Sequence, residues 1–386
     1  MPSSFGNTLR VTVFGQSHSA GVGCVVEGLP SGFAVDQDRL AAFMARRAPG
    51  NAPWTTPRKE KDAVRVLSGL NPDGRTCGAP LAAVIENANT RSQDYKNIMG
   101  VPRPGHADFT AWSKWHGEQD IPGGGHFSGR LTGPLCVAGG ICLQWLEEQG
   151  VRISAHVDEC AGVADEHFCA LGNYPAANER LAAQMDALAD GRDFPAIDAG
   201  AAGRMTEAIM AARAQKDSVG GVIECAATGL PAGVGSPMFD GLESTIAYAV
   251  FGIPSVKGIE FGAGFASARM RGSEDNDPYE VRDGACVPRT NNAGGILGGI
   301  STGAPLQFRC ALKPISSIGI EQDSVDLARM EPAKLTVHGR HDATAVTRAV
   351  PVVEAVAACA IADALLSFPA DPIKDLMTKR NSPFSS

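Results

Sequence analysis

The chain has 386 residues, 44% of them hydrophobic and 20% charged, enough to bury a substantial core as one large domain or as two to three ordinary ones. A formal net charge of −8 argues against a general nucleic-acid or membrane-surface binder, since those proteins present a basic face, and leaves open an anionic small molecule held by local arginines. Ten scattered cysteines with no CxxC pair read as reduced thiols in the cytoplasm; with no basic-then-apolar start and no long uninterrupted apolar window, neither export nor membrane insertion is expected.

Residues 8–14 and 22–27 alternate with β-branched side chains and read as strands flanking the turn Gly15-Gln16-Ser17-His18-Ser19. His18 thereby sits on a loop without apolar neighbours in sequence. Asp36 caps a helix over residues 37–47 that ends at Pro49-Gly50, with Arg46 and Arg47 at its carboxyl end. Strands follow at 63–68 and 81–87, separated from their neighbours by polar loops at 51–62 and up to Tyr95. The segment from 101 to 132 is the most polar and glycine-rich of the chain: Arg103 and His106, then Gly123-Gly124-Gly125, then Ser128 and Arg130. Residues 128–148 read as a helix buried between layers, apolar nearly all round, with glycines for close packing.

Further on, the pattern predicts a strand at 151–157, helices at 177–189 and 200–215, a strand at 220–227, a helix at 238–250 and a strand at 256–261. Residues 267–288 read as a polar surface excursion, and 290–303 as a second glycine-rich loop. A strand at 305–312 delivers Lys313-Pro314-Ile315-Ser316-Ser317, and Gly339-Arg340-His341-Asp342 precedes an apolar helix at 346–367 and a polar tail at 369–386.

Standard nucleotide signatures are missing: there is no GxxxxGK[ST] and no GxGxxG between a strand and a helix. Gly299-Ile300-Ser301-Thr302-Gly303 matches GxSxG, but a proline and a strand follow Ser301 where a hydrolase elbow needs a helix. His338, His341 and Asp342 are metal-ligand types without paired spacing, so no metal is expected. Glycine-rich loops with single basic or imidazole groups recur at 15–19, 103–106, 123–130, 294–303, 313–317 and 339–342. Converging, they would form an anion pocket with titratable side chains.

The segments GQSHS, MARRAPG, NTRSQDY, RPGHADF, GGGHFSGR, DSVGG, PSVKGIEFGAGF, TNNAGGILGGISTG, KPISSI and GRHD…RAVPVVEA, in this order, resemble the chorismate synthase family over nearly the whole chain. The resemblance implies an α+β fold, a β-α-β sandwich with long central helices between antiparallel sheets, as a single domain over 1–386 in a homotetramer. It implies the anti 1,4-elimination of phosphate from 5-enolpyruvylshikimate 3-phosphate, the last shikimate-pathway step, with reduced FMN and no net redox change. Reduced flavin would come from an external flavin reductase, or from NADPH if the enzyme is bifunctional.

By the same resemblance His106 protonates the departing phosphate, His18 faces the pyrimidine edge of the flavin and Asp342 lies near its N5. Arg46, Arg47, Arg103, Arg130 and Arg340 correspond to substrate arginines. His126, Phe127, Ser128, Pro254, Ser255, Gly298, Lys313, Pro314, Ile315, Ser316, Ser317 and Arg340 correspond to FMN contacts. The chain departs from the usual GESHG at Gln16 and Ser19, has Ala48 and Pro53 where arginines are usual, and carries His126 and Phe127 in place of an arginine and a serine. The other readings are a catalytically silent FMN or phosphosugar-binding paralogue and, on GxSxG alone, a hydrolase at Ser301.

Overall fold

The structure is a computed structural model that describes residues 3–48, 50, 52–55, 62–87, 100–169, 173, 175–189, 193–337 and 342–370. The first sheet is antiparallel, in the order β1 (Ser4–Phe5), β2 (Arg10–Gly15), β3 (Gly21–Glu27), β5 (Leu81–Glu86) and β4 (Val64–Ser68). Its period-two pattern puts Val11, Val22, Cys24, Val26, Leu81, Ala83 and Ile85 on one face, each at most 1% exposed. Register pairs them across strands, Val22 with Ile85, Cys24 with Ala83 and Val26 with Leu81. Helix α1 (Gln37–Arg47) has the bounds the sequence predicts, and the Asp36 carboxylate accepts from the backbone N–H groups of Asp38 and Arg39. Helix α2 (Asp108–Trp115) forms within the polar central segment, and α3 (Thr132–Glu148) runs along the inner face of the first sheet.

The second sheet has the order β7 (Val163–Ala164), β6 (Arg152–Cys160), β8 (Gly221–Thr228), β14 (Leu306–Leu312) and β9 (Val256–Phe261). Helices α4 (Pro175–Ala189) and α5 (Ala199–Ala214) lie between β7 and β8 in sequence, and α6 (Leu242–Phe251) precedes β9. The polar excursion at 267–288 holds more order than its composition predicts: a helical turn α7 (Gly272–Asp275) and the hairpin β10 (Tyr279–Arg282) with β11 (Ala285–Pro288). Hairpins β12 (Ile296–Leu297) with β13 (Ile300–Ser301), and β15 (Gln322–Asp326) with β16 (Glu331–Leu335), complete the strands.

Helix α8 (Val346–Ser367) lies between the two sheets beside α3, giving the expected β-α-β sandwich. By length and composition it could cross a membrane, with mean hydropathy 2.0, but 89% of that window is buried as the central core helix. A Cβ on Gly139 of α3 would lie 2.3 Å from the Cα of Ala355 in α8, so only glycine permits this approach. Two carboxylates on α8 tie the layers together. Glu354 accepts from Arg46 at 2.6 and 2.9 Å and from the Ala155 N–H of β6 at 3.0 Å. Asp363 accepts the backbone N–H groups of Asn7, Thr8 and Leu9 at 2.8 to 2.9 Å, fastening the start of the chain to its last helix.

On its outer face the second sheet carries a polar row, His156 opposite Glu224, Glu224 opposite Arg309 and Arg309 opposite Glu260. Phe168 and the α4 residues Leu181, Met185 and Leu188 cover part of this face. His156 is fully buried, with Nδ1 3.0 Å from Asp165 and Nε2 2.9 Å from Glu224. His156, Asp158 and Glu224 bring ligand-type atoms within 4.8 Å of one another. Both imidazole nitrogens are already bound to carboxylates, however, so the His156 ring is committed to an ion network and has no lone pair to offer a metal.

Burial works to lower the pKa of His156, but its hydrogen bonds to Asp165 and Glu224 outweigh that and push it up to about 9. A folded-state value above the unfolded one, about 6.5, means the contribution is complete below that pH and is lost as pH rises through about 9. The urea midpoint is expected to fall across this window in the wild type and to change much less in His156→Gln. Parallel midpoint profiles for the two proteins would refute the assignment.

Candidate active site

The triple glycine is the surface on which the two loop histidines rest. Gly123, Gly124 and Gly125 have φ of +64°, +85° and +54°, in the region that favours glycine. A Cβ on Gly123 would lie 2.4 Å from the His18 ring and from Ser17 Oγ, and one on Gly124 would lie 3.2 Å from His106 Nε2. The His18 loop is fastened from two sides. The Ser17 N–H donates to the Gly125 carbonyl at 3.1 Å, and Asn87 Nδ2 donates to the carbonyls of Gln16 and Ser19 at 3.0 and 2.9 Å. Ser19, at a position where glycine is usual, braces the same turn: its Oγ accepts from the Gln16 N–H at 3.0 Å.

These loops open on a cavity of about 790 Å³. Residues at the amino ends of both α3 and α8 line it. The positive ends of two helix dipoles therefore face the same space, a setting that favours anions. Its cationic side chains are largely held by carboxylates. Arg47 and Arg130 share Asp62, one on each carboxylate oxygen, and Arg47 also donates to Thr132 Oγ1 at 3.0 Å and the Gly129 carbonyl at 3.2 Å. Burial raises the pKa of Asp62, yet the two guanidinium groups beside it bring the net shift below the ordinary carboxylate value. Arg348 donates to Asp342 at 2.5 Å and to the Arg47 carbonyl at 3.0 Å.

Arg103 is paired with Asp108 and also donates to Ser317 Oγ at 3.0 Å. The loop carrying His106 is joined to the one after β14, because Lys313 Nζ donates to the Gly105 carbonyl at 2.9 Å and lies 2.7 Å from Ser316 Oγ. Lys257, at the start of β9, also lines the cavity. Neither Lys257 nor Lys313 has a carboxylate ion-pair partner among the described residues. Burial first, and Lys257 second, push the Lys313 ammonium below its ordinary pKa. Four arginines and two lysines are thus set against Asp62, Asp108 and Asp342, and the uncompensated charge concentrates at the lysines.

Comparison with known proteins identifies the family. A family profile described as chorismate synthase matches residues 9–366. The chain belongs to the chorismate synthase family. It is 54% identical over 374 residues to the chorismate synthase of Lancefieldella parvula, covering 96% of this chain and 98% of that one. The chorismate synthase of Archaeoglobus fulgidus is 44% identical over 364 residues, covering 94% and 97%. A solved structure titled as a crystal structure of chorismate synthase superposes with a TM-score of 0.72 at 26% identity, covering 94% of this chain and 93% of that chain. Chorismate synthases are carbon–oxygen lyases, and the class applies here.

Most positions matched to chorismate synthase motifs converge on the cavity. His18, His106 and Asp342 line it, as do Arg47, Arg103 and Arg130. His126, Phe127 and Ser128 form one wall, Pro254 and Ser255 another, and Lys313, Ile315, Ser316 and Ser317 a third. His126 is tied by Nδ1 to the Gly15 carbonyl and by Nε2 to Ser3 Oγ, 2.8 Å in each case, so it does not extend a fork as an arginine would. Arg46 is a correction: its guanidinium is taken bidentately by Glu354 and does not line the cavity. Pro314 packs toward Gly220, and Gly298 sits at the β12–β13 turn; neither lines the cavity.

Arg340 lies outside the described residues, as do His338 and His341. Ala48 ends α1 and Pro53 lies in an exposed turn, so neither restores a cation. The Ser301 hydrolase alternative finds no support: its Oγ donates to the Pro231 carbonyl at 2.6 Å, accepts from the Val234 N–H at 2.9 Å and is away from the cavity. Sequence reasoning did not single out Asp62, Asp108, Lys257 or Arg348. The last three stand inside the quoted motifs, where their residue types were the available signal.

Gly123→Ala is expected to cost about 1–2 kcal/mol for its backbone conformation and, by displacing His18, most of the activity. Gly150→Ala has the same backbone problem, φ +80°, with open space around its Cβ, and should lose stability alone. Assays and melting curves of both variants separate the effects; equal activities would contradict the packing role of Gly123.

Proposed function

We propose that this chain catalyses the chorismate synthase reaction, the 1,4-elimination of phosphate from 5-enolpyruvylshikimate 3-phosphate, with reduced FMN as cofactor. The observation that carries the reading is the pairing of His18 and His106 on one glycine surface in a cavity whose surplus charge is positive. A substrate bearing carboxylates and a phosphate suits that field, because guanidinium and ammonium groups in a partly dry site bind anions strongly. His106 is the group that protonates the phosphate as the C3–O bond breaks, since imidazole can carry a transferable proton near neutral pH. Arg103, beside His106, holds the departing phosphate, and Arg47 and Arg130 hold the carboxylates at the amino end of α3.

The residues present fit FMN. Lys257 and Lys313, lacking carboxylate partners among the described residues, with Ser255 and Ser316 near them, would hold its phosphate, and Phe127 and Ile253 would offer apolar surface to its ring system. When bound, reduced FMN supplies the electron-rich centre that the removal of the C6 hydrogen requires. His18 would face its pyrimidine edge as a proton donor, and Asp342, held by Arg348, would stand toward its N5. We further infer one catalytic domain, supported by a main apolar cluster that takes in residues from Leu9 to Ala364, in a cytoplasmic homotetramer. Unpaired cysteines suit a reducing compartment. The exposed side chains of Met238, Phe239, Tyr248 and Phe251 along the α6 flank suit burial between subunits.

Anaerobic turnover with chemically reduced FMN, following phosphate and chorismate together, tests the reaction. Wild type should release both equally, and His106→Ala should be slowed on the order of 10²- to 10⁴-fold. Absence of chorismate from folded, FMN-binding wild type would overturn the synthase reading in favour of a silent paralogue. The cofactor assignment is tested by flavin fluorescence: Lys257→Met and Lys313→Met should each weaken FMN binding by roughly 10-fold or more while leaving riboflavin, which lacks the phosphate, unchanged. Equal losses for both flavins would remove the lysines from the phosphate.

A further inference from the structure

We infer that Asp108 is the positioning residue for His106, fixing which imidazole nitrogen faces the reacting phosphate; the inference rests on the proposed role of His106 as proton donor. Asp108 opens α2, where a carboxylate is favoured by the helix dipole. Its Oδ2 accepts from Arg103 Nε at 2.7 Å and from the Arg103 backbone N–H at 3.0 Å. Its Oδ1 accepts from Arg103 Nη2 at 2.8 Å and lies 2.6 Å from His106 Nδ1. A carboxylate held by one guanidinium from two sides and by a backbone N–H has no rotational freedom, so it offers the histidine one acceptor in one place.

An ionised carboxylate only accepts, so Nδ1 must be the nitrogen that carries the hydrogen in that bond. The Asp108 pKa lies far below the ordinary carboxylate value: burial opposes this shift, while hydrogen bonds from Arg103 and His106 outweigh it. The carboxylate is therefore ionised through the working pH range. Nε2 then faces Gly124 and the cavity. In the cationic ring Nε2 bears the proton that passes to the phosphate oxygen as the C3–O bond breaks. The ring is left neutral, with its remaining hydrogen on Nδ1 and a lone pair on Nε2, ready to take up the next proton without turning over.

The charged surroundings make a counter-ion necessary. Arg103 Nη2 lies 3.1 Å from Nδ1 and 3.3 Å from Nε2. Lys313 approaches through the Gly105 carbonyl of the same loop, and His18 lies on the next glycine of the triplet. Asp108 is the carboxylate in contact with this ring, and its charge offsets those of Arg103 and Lys313 when the ring is protonated. Asp108 thereby combines a charge effect with a tautomer effect, and each can be measured.

A double-mutant cycle tests the coupling. Asp108→Asn should lower kcat roughly 10- to 100-fold when His106 is present and should have almost no further effect in His106→Ala. Asp108→Glu, which retains the charge on a longer arm, should recover part of the loss and serves if the asparagine variant does not fold. Independently of turnover, ¹⁵N spectra of histidine-labelled protein should place the neutral His106 hydrogen on Nδ1 in wild type and on a mixture of nitrogens in Asp108→Ala. An equal loss in kcat with or without His106, or an unchanged tautomer in Asp108→Ala, would overturn the inference. Full activity of His106→Ala would instead refute the proposed role of His106, while the tautomer spectra would still report whether Asp108 holds the ring.

Discussion

The close approach of α3 and α8 is the constraint on which the site depends. Gly139 admits the backbone of Ala355 at a distance that any Cβ would forbid, and Ala357, Ala358 and Ala360 in the same stretch of α8 are all at most 1% exposed. Dispersion contacts between two such surfaces are individually weak and collectively large. Because the amino ends of both helices reach the same cavity, the packing that fills the sandwich also adds their dipoles at one place. Stability and anion affinity thus share a geometric origin, and a side chain larger than hydrogen at 139 would disturb both.

The carboxylates of the cavity have the complementary role. A pocket with this many guanidinium groups would pay a large repulsive cost when empty, and Asp62, Asp108 and Asp342 remove much of it. Sharing Asp62 between Arg47 and Arg130 fixes both forks in relation to each other, so the arginines are held before any ligand arrives. Preorganisation of this type lowers the ordering cost of binding. The two lysines are the exception, and the mutual repulsion of Lys257 and Lys313 is what an arriving phosphate would relieve.

Much of the fold was legible from periodicity. Helices 37–47 and 346–367 and strand 256–261 have the same bounds in the sequence reading and the structure, because each combines a strong apolar pattern with clear end signals. Helix α2 was not, since eight residues inside a polar segment give too few turns for a period to show. The β10–β11 and β15–β16 hairpins were also missed: their strands have four or five residues with little burial, so side-chain alternation is weak. At the site, motifs located the histidines and most arginines. They could not reveal that Arg46 and Arg47, adjacent in sequence, point to different partners, Glu354 and Asp62. That difference comes from the 100° turn per helical residue and from partners far away in the chain.

The place of α8 in the middle of the sandwich has a consequence for biosynthesis. Of the two helices between the sheets, α8 follows every described strand in the chain, and Asp363, which fastens residues 7–9, lies near its end. A ribosome-bound chain lacking this helix has two sheets with apolar inner faces and only α3 to fill the space between them. The first sheet must wait through the synthesis of nearly the entire protein before its inner face is fully covered. Long-range closure of this type slows folding and leaves apolar surface exposed meanwhile, so the nascent chain, more than the finished one, is the species that needs protection from aggregation.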